Sequence, residues 1–260
     1  MSETRRRALV TGASSGIGEA VCRLLAGHGY RVALLARRGE RLERVRSELQ
    51  GDGHVVIECD LCDPRAIERG LEELAAAFNG LDLVVNNAGL GYRARVEELE
   101  PELLQRVFDT NVTGLLLVCR AALPLLRRGE RPVVVNVSSV VGRRGIPGQA
   151  AYSASKAAVS SIGQALRVEW ADEGIEVCTL SPGLTATGFF EAQPNPSKLP
   201  DPDLARSQGP EDVAREVLAL DRAPKAERFM RRKWQLLGLL TLVAPRWSDR
   251  ILVRRLGGDT

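Results

Sequence analysis

Residues 11–18 read Thr11-Gly12-Ala13-Ser14-Ser15-Gly16-Ile17-Gly18. The apolar run Ala8-Leu9-Val10 precedes them, and an amphipathic run over 16–28 follows. Small residues between a strand and a helix let the backbone turn tightly and approach a phosphate, which binds the free N–H groups at the start of the helix. The stretch therefore predicts a pyrophosphate cradle, although its spacing, G-x-x-x-G-x-G, is wider at the front than the usual dinucleotide pattern.

Short apolar runs alternate with longer amphipathic runs along the rest of the chain. The predicted strands are 8–10, 32–35, 55–57, 83–85, 133–135 and 176–180. The predicted helices are 16–28, 41–50, 64–78, 101–128, 152–173 and 210–220. The strands are apolar along their whole length, which is typical of strands covered on both faces. We therefore expect an α/β fold: a Rossmann-type, doubly wound parallel sheet of about seven strands with helices on both faces, in one domain over 1–260.

Two segments depart from this alternation. Residues 182–209 carry five prolines and little periodicity, which is typical of a substrate loop or lid. Residues 222–260 form a basic, partly apolar C-terminal extension with ten Lys/Arg and three Asp/Glu. The extension therefore carries a net charge of +7, while the whole chain carries +3.

The composition excludes several classes of protein. A net charge of +3 gives no argument for a nucleic-acid partner. Two histidines and five cysteines, of which only Cys59 and Cys62 have a C-x-x-C spacing, predict no metal site. The odd number of cysteines and the absence of an apolar signal sequence before the glycines favour a cytoplasmic location.

The residues after the second predicted strand indicate which dinucleotide binds. An enzyme that prefers NAD(H) needs an acidic group near the ribose 2′-hydroxyl, and the strand here ends in Ala36, Arg37 and Arg38. Arg37 is suited to pair with a 2′-phosphate. We therefore expect NADP(H), with NAD(H) as the less favoured alternative.

A tyrosine and a lysine lie four residues apart at the start of a predicted helix, in Tyr152-Ser153-Ala154-Ser155-Lys156. They share one helix face, where the ammonium is expected to lower the pKa of the phenol. Asn86-Asn87-Ala88-Gly89 and Asn136-Val137-Ser138-Ser139 follow predicted strands, and open α/β sheets bind ligands at such strand ends. Tyr152 is therefore a candidate general acid or base.

Taken together, these motifs resemble the short-chain dehydrogenase/reductase family. TGASSGIG at 11–18, Asp60, NNAG at 86–89, Asn111, the NVSS serine at 136–139, YSASK at 152–156 and PG at 182–183 stand in family order over roughly residues 7–190. The resemblance implies a catalytic set of Asn111, Ser139, Tyr152 and Lys156, with Ser138 as the second candidate serine.

The resemblance also assigns roles to these residues. Ser139 would bind the substrate carbonyl, Tyr152 would protonate the alkoxide, and Lys156 would hold the nicotinamide ribose. Asn111 would keep a water near Lys156. The implied cofactor-binding residues are Gly12, Ser14, Ser15, Gly16, Ile17, Gly18, Arg37, Asp60, Leu61, Asn87, Ala88, Gly89, Tyr152, Lys156, Pro182, Gly183, Thr185 and Thr187.

The expected function is NADPH-dependent reduction of a carbonyl, or the reverse oxidation of an alcohol. Leu184, Phe189, Phe190 and Leu199 predict an apolar pocket wall and favour acyl chains, steroids or similar lipids over sugars. The alternative is a non-catalytic NADP(H)-binding regulator on the same fold.

Two apolar regions point to contacts outside the substrate pocket. The helices over 101–128 and 152–173 carry more apolar surface than one sheet face needs. Because such helices form subunit interfaces in the family that the chain resembles, the resemblance implies a homodimer or homotetramer. The extension has two interpretations: a helix that packs on the pocket or on another subunit, or a basic amphipathic element over 231–255 that makes a peripheral contact with an anionic membrane.

Overall fold

One parallel sheet organises the chain. The computed structural model describes residues 5–205 and 207–256. Its sheet has seven strands in the order β3-β2-β1-β4-β5-β6-β7, and every neighbouring pair is parallel. The predicted fold class is therefore confirmed. The seventh strand lies in the C-terminal extension, where its three residues were too few to give a periodic signal.

The predicted elements are present, with small shifts at their ends. The strands are β1 (Arg7–Thr11), β2 (Arg31–Ala36), β3 (Val55–Glu58), β4 (Leu83–Asn86), β5 (Val133–Val137), β6 (Glu176–Ser181) and β7 (Glu227–Phe229). The helices are α1 (Gly16–Gly27), α2 (Gly39–Ser47), α3 (Pro64–Ala77), α4 (Pro101–Phe108), α5 (Gly114–Leu126), α6 (Ala150–Glu169), α7 (Phe189–Ala192), α8 (Pro210–Arg222), α9 (Arg232–Val243) and α10 (Pro245–Leu256).

Helices cover both faces of the sheet, and the strands are apolar on both sides for that reason. Along β1, Ala8 and Val10 face the layer formed by α1, α2 and α8, while Leu9 faces the layer formed by α3, α5 and α6. All three side chains are fully buried. A strand that alternated apolar and polar residues would leave one of these layers without a core to pack on.

The strand order reverses between β1 and β4. β2 lies on one side of β1, and β4 lies on the other. Crevices at such a switch point, outside the carboxyl ends of the strands, are where open α/β sheets bind ligands. The glycine-rich loop after β1 and the NNAG segment after β4 therefore meet at this edge, which we call the carboxyl edge.

The helix predicted over 101–128 is not continuous. A π-helical turn, Asp109–Thr113, separates α4 from α5. Residues 101–126 have the length and mean hydropathy, 1.2, of a membrane-spanning helix. Because Val107, Leu115 and Val118 are buried within the fold, we interpret this stretch as a core helix that the π turn interrupts.

The two irregular segments contain more structure than predicted. The loop 182–209 includes α7 and is closed by a bridge between Thr185 and Gln208. The C-terminal extension adds β7 to the sheet, and then α9 and α10 fold back on each other as a helical hairpin.

Candidate active site

The glycine-rich loop fits a phosphate cradle. Gly12 and Gly16 have positive φ, +68° and +57°, which is strained for any residue with a side chain. A Cβ on Gly18 would lie 2.2 Å from the carbonyl oxygen of Gly12. Ser15 caps α1 without a side-chain hydrogen bond, so the first N–H groups of α1 have no side-chain acceptor. The loop therefore has the tight turn and the N–H donors that a pyrophosphate needs.

The segment after β4 is fastened to this loop. The N–H groups of Asn87 and Ala88 both donate to Thr11 Oγ1 at 3.0 Å, and Asn87 Nδ2 donates to the Thr11 carbonyl at 3.0 Å. A Cβ on Gly12 would lie 2.8 Å from Ala88 Cα. Thr11 was missing from the predicted site, although a threonine that ends a buried strand beside the glycines is a signal for such a linking hydroxyl.

The end of β2 carries a group of cations. Arg38 donates to Ser14 Oγ at 2.9 Å and to Ser15 Oγ at 3.2 Å, so it lies on the glycine-rich loop. Burial, followed by the charges of Arg41 and Arg37, lowers the pKa of Arg38. Arg37, the residue predicted from the sequence, is exposed beside it. Arg38 was missed because neighbouring residues in an extended chain point to opposite sides, and the sequence does not say which one meets the loop.

Ser139 and Tyr152 meet at the carboxyl edge. Ser139 follows β5, and Tyr152 lies in the first turn of α6. The Ser139 side chain is close enough to the Tyr152 phenol to lower the pKa of that phenol. Ser138 instead donates to the Lys156 carbonyl at 2.8 Å and lies 2.9 Å from Ser160 Oγ, so its hydroxyl is used in packing. Of the two candidate serines, Ser139 is the one that lies beside the phenol.

Lys156 is buried one turn along α6. Its ammonium donates to the Val137 carbonyl at 2.9 Å and lies 5.9 Å from the centre of the Tyr152 ring. Burial lowers the pKa of Lys156 to about 8. Burial also raises the pKa of Tyr152 above its usual value, and the hydrogen bond from Ser139 offsets only part of that rise. The expectation that Lys156 lowers the pKa of the phenol does not match this arrangement, because the ammonium is directed at a backbone carbonyl.

The π turn directs Asn111 into the same edge. Asn111 Nδ2 donates to the Leu90 carbonyl and to Ser155 Oγ, both at 3.0 Å, and Asn111 Oδ1 accepts from the Leu90 N–H at 2.7 Å. A Cβ on Gly89 would lie 3.3 Å from Lys156 Nζ and 3.4 Å from Asn111 Oδ1. A side chain at position 89 would make these two neighbours shift by a few tenths of an ångström, so Gly89, Asn111 and Lys156 form one close cluster.

The loop after β6 reaches across the cradle. If Gly16 carried a Cβ atom, that atom would lie 3.2 Å from the methyl group of Thr187, its nearest neighbour. Thr185 Oγ1 donates to the Gly183 carbonyl, and the Pro182 carbonyl accepts from the Val140 N–H. The four loop residues predicted from the sequence thus lie between the glycines and the segment after Ser139.

Apolar side chains close the space beside the phenol. The ring of Phe189 lies 5.7 Å from that of Tyr152, and the ring of Phe190 lies 5.6 Å from that of Phe189. A Cβ on Gly91 would lie 2.8 Å from the Phe189 ring, so the loop after β4 packs closely on α7.

The remaining predicted residues lie at the outer end of the edge. Asp60 follows β3, and its carboxylate accepts from the Cys62 N–H at 3.0 Å. Leu61 is buried against Gly114 at the start of α5. Cys59 is buried but Cys62 is exposed, so the two cysteines of the C-x-x-C spacing lie in different environments.

Comparisons with known proteins identify the family of the chain. The family model described as short chain dehydrogenase matches residues 6–197. An uncharacterized oxidoreductase of Myxococcus xanthus is 42% identical over 192 residues, which cover 71% of this chain and 76% of that protein.

Solved structures share the fold over most of the chain. A 3-ketoacyl-(acyl-carrier-protein) reductase from Brucella melitensis, complexed with NADH, has a TM-score of 0.78 and 29% identity over 86% of this chain and 96% of that one. An alcohol dehydrogenase from Thermococcus sibiricus, complexed with 5-hydroxy-NADP, has a TM-score of 0.78 and 28% identity over 88% and 97% of the two chains.

Proposed function

The chain belongs to the short-chain dehydrogenase/reductase family, and we propose that it is an NADPH-dependent carbonyl reductase acting on an apolar ketone. One observation carries the proposal: the Ser139 and Tyr152 side chains lie close together at the carboxyl edge, with Lys156 one helical turn away. The glycine-rich cradle at the same edge is built for a dinucleotide.

The proposed chemistry divides between the cofactor and the side chains. A bound nicotinamide cofactor supplies or accepts the hydride. Ser139 donates a hydrogen bond to the carbonyl oxygen, and Tyr152 gives that oxygen its proton as negative charge develops on it. Because burial raises the pKa of Tyr152, the phenol holds its proton at neutral pH, which suits an acid in the direction of reduction. Lys156, whose ammonium donates to the Val137 carbonyl, would hold the nicotinamide ribose.

The proposed preference for NADP(H) is based on the residues at the end of β2. Ala36 offers no carboxylate to a ribose 2′-hydroxyl, and Arg37, Arg38 and Arg41 supply positive charge for a 2′-phosphate. The two solved relatives were bound to NADH and to an NADP analogue, so they support a nicotinamide cofactor of either type.

The proposal of an apolar substrate is based on the aromatic side chains beside Tyr152. Phe189 and Phe190 leave little hydrogen-bonding capacity for a sugar next to the phenol. One solved relative is described as a reductase of 3-ketoacyl chains, which is a ketone of this type. Medium-chain and long-chain ketones are therefore the first substrates to try.

We also propose that the chain forms a homodimer or homotetramer. Leu116 on α5 and Val168 on α6 are 41% and 77% exposed, so the helices that carry part of the site leave apolar side chains uncovered. A second copy would cover them.

The test compares the wild type with Tyr152→Phe. We expect NADPH oxidation by apolar ketones to fall about 10²- to 10⁴-fold in the variant, because it lacks the proton donor, while NADPH still binds. Tyr92→Phe is the matched control, because Tyr92 is a buried tyrosine whose phenol accepts a hydrogen bond from the Glu100 N–H. That variant should keep its activity.

Two outcomes would contradict the proposal. An active Tyr152→Phe variant would mean that the phenol is not the acid. A wild-type protein that binds NADPH tightly and reduces no ketone would favour the non-catalytic regulator.

A further inference from the structure

Helix α9 is apolar on both of its faces. Leu237 and Gly238 are buried against the rest of the fold. The opposite face carries Leu236, Leu239, Leu242 and Val243, which are 65%, 55%, 80% and 82% exposed. Helices that are apolar all round are normally buried all round, and a row of exposed leucines marks a surface that binds something.

The orientation of this face is fixed by contacts beneath the hairpin. Thr241 Oγ1 lies 2.7 Å from Ser248 Oγ, and Leu252 of α10 is buried. Arg144 forms a 2.6 Å ion pair with Asp249 of α10. The leucines therefore face outward because the hairpin is seated on the protein by its other side.

The outward face of α10 is cationic. Arg246, Arg250 and Arg254 follow one another at intervals of four residues, so they share one helix face, and all three are exposed. Within residues 5–205 and 207–256, none of the three has an ion pair. Asp249 of the same helix is paired with Arg144, although its side chain is 59% exposed, and Trp247, 67% exposed, lies next to the turn of the hairpin.

We propose that this outward face of the α9–α10 hairpin binds the surface of an anionic phospholipid membrane. Leucine, valine and tryptophan side chains would enter the boundary between headgroups and acyl chains, while the arginine stripe would contact the phosphates. A second copy of the chain fits less well, because this face is cationic and therefore complements anionic headgroups rather than an identical cationic face. The inference does not depend on the proposed reaction.

The first experiment measures binding of the full chain to vesicles. Vesicles of phosphatidylcholine alone are compared with vesicles that also contain phosphatidylglycerol, by flotation at low and high salt. We expect the protein to float with the anionic vesicles only, and raised salt to release it, because screening weakens the contacts of the arginines. Failure to bind anionic vesicles at low salt would overturn the proposal.

Two variants that each lose three positive charges distinguish a specific effect of the arginine stripe from an effect of net charge. Arg246→Gln/Arg250→Gln/Arg254→Gln should weaken binding to the anionic vesicles about 100-fold, since each basic side chain near such a surface contributes about 1 kcal/mol. Arg44→Gln/Arg65→Gln/Arg222→Gln removes three exposed charges elsewhere and should bind as the wild type does. Equal losses in both variants would overturn the proposal.

A third experiment tests the exposed leucines of α9 and the alternative that a second copy of the chain covers this face. Leu239→Gln/Leu242→Gln should weaken vesicle binding and leave the mass of the protein in solution unchanged. In the wild type, anionic vesicles should shift the tryptophan emission to the blue, and Trp247→Phe should remove that shift. If the double leucine variant instead changes the oligomeric mass while vesicle binding stays intact, the face is an interface between copies, and the proposal fails.

Discussion

At the scale of single residues, Arg37 and Arg38 stand side by side after β2 but make different contacts. Arg38 donates to the hydroxyls of Ser14 and Ser15, which surround the cradle that both dinucleotides share. Arg37 is exposed and makes no such contact within the described residues. A 2′-phosphate is present only in NADP(H), so the two arginines should act on cofactor binding in different ways.

We expect Arg37→Ala to raise the KM for NADPH about 10- to 100-fold and to leave the KM for NADH nearly unchanged. The expected size follows from the loss of a charged hydrogen bond of about 1.5–3 kcal/mol. Arg38→Ala should raise both KM values, because it loosens the glycine-rich loop. Steady-state kinetics with each cofactor checks this prediction, and an equal rise in both KM values for Arg37→Ala would contradict it.

The meeting of the four candidate site residues at one edge could be predicted from the sequence, but their electrostatics could not. The order of the motifs placed Ser139, Tyr152, Lys156 and Asn111 at one edge, and the structure brings all four there. The pKa of the phenol depends on burial and on the direction of the Lys156 ammonium. Neither can be read from a spacing of four residues, because both depend on the elements packed around α6.

At the scale of elements, the substrate loop 182–209 depends on one buried side chain outside it. Arg93 is 4% exposed and donates to the carbonyl of Leu199 at 2.9 Å, to the carbonyl of Pro200, and to Asp201 Oδ1 at 2.7 Å. These contacts join the segment after β4 to the far end of the loop. The planar guanidinium is suited to this task because it donates in several fixed directions.

We expect Arg93→Met to increase the rate of proteolytic cleavage within 194–203 about tenfold and to raise the KM for the ketone, since the loop loses its anchor. Asp201→Asn is the control. It removes only the ion pair to a carboxylate whose side chain is 79% exposed, and it should change little. Limited proteolysis and steady-state kinetics provide the measurements. A loop as resistant to protease in Arg93→Met as in the wild type would show that other contacts hold it.

Element boundaries show where sequence patterns stop being informative. Long amphipathic runs predicted α1, α3 and α8 to within about two residues. The π turn could not be predicted, because its residues continue the apolar pattern of α4 and α5, and the turn is set by how Asn111 reaches Leu90 and Ser155. The conformation of the loop before α8 could not be predicted, because it depends on contacts with Arg93, more than 90 residues earlier in the chain.

At the scale of the whole molecule, buried ion pairs hold the edge of the sheet where the strands begin. The Asp82 carboxylate is 2% exposed and accepts from the Arg7 N–H at 2.7 Å, from Arg7 Nε at 3.0 Å and from the Glu130 N–H at 2.6 Å. Burial by itself would raise the pKa of Asp82, but the hydrogen bonds from Arg7 and Glu130 outweigh it and hold the pKa below its usual value.

We expect Asp82→Asn to lower the free energy of unfolding at pH 7 by about 3 kcal/mol, because it leaves the Arg7 guanidinium with an uncharged partner. Since the folded-state pKa of Asp82 is depressed, the wild type has the full contribution above the unfolded pKa and loses it as pH falls through the folded pKa. The difference between the two proteins should therefore shrink below about pH 4.

Denaturant unfolding at several pH values measures this difference. Asp52→Asn is the matched control, because its carboxylate pairs with Arg5 but is 84% exposed, and it should change stability by less than about 0.5 kcal/mol. A difference between Asp82→Asn and the wild type that stays constant from pH 7 to strongly acidic pH would contradict the role of the charge.

All seven strands are parallel, so the two ends of the sheet can evolve separately. The residues that keep it folded, such as Asp82 and Arg7, gather where the strands begin, and the loops that meet a substrate gather where they end. A lineage carrying this architecture can therefore exchange one set without disturbing the other. New substrate ranges should arise by insertions and swaps in the loops after β4 and β6, with little loss of thermal stability.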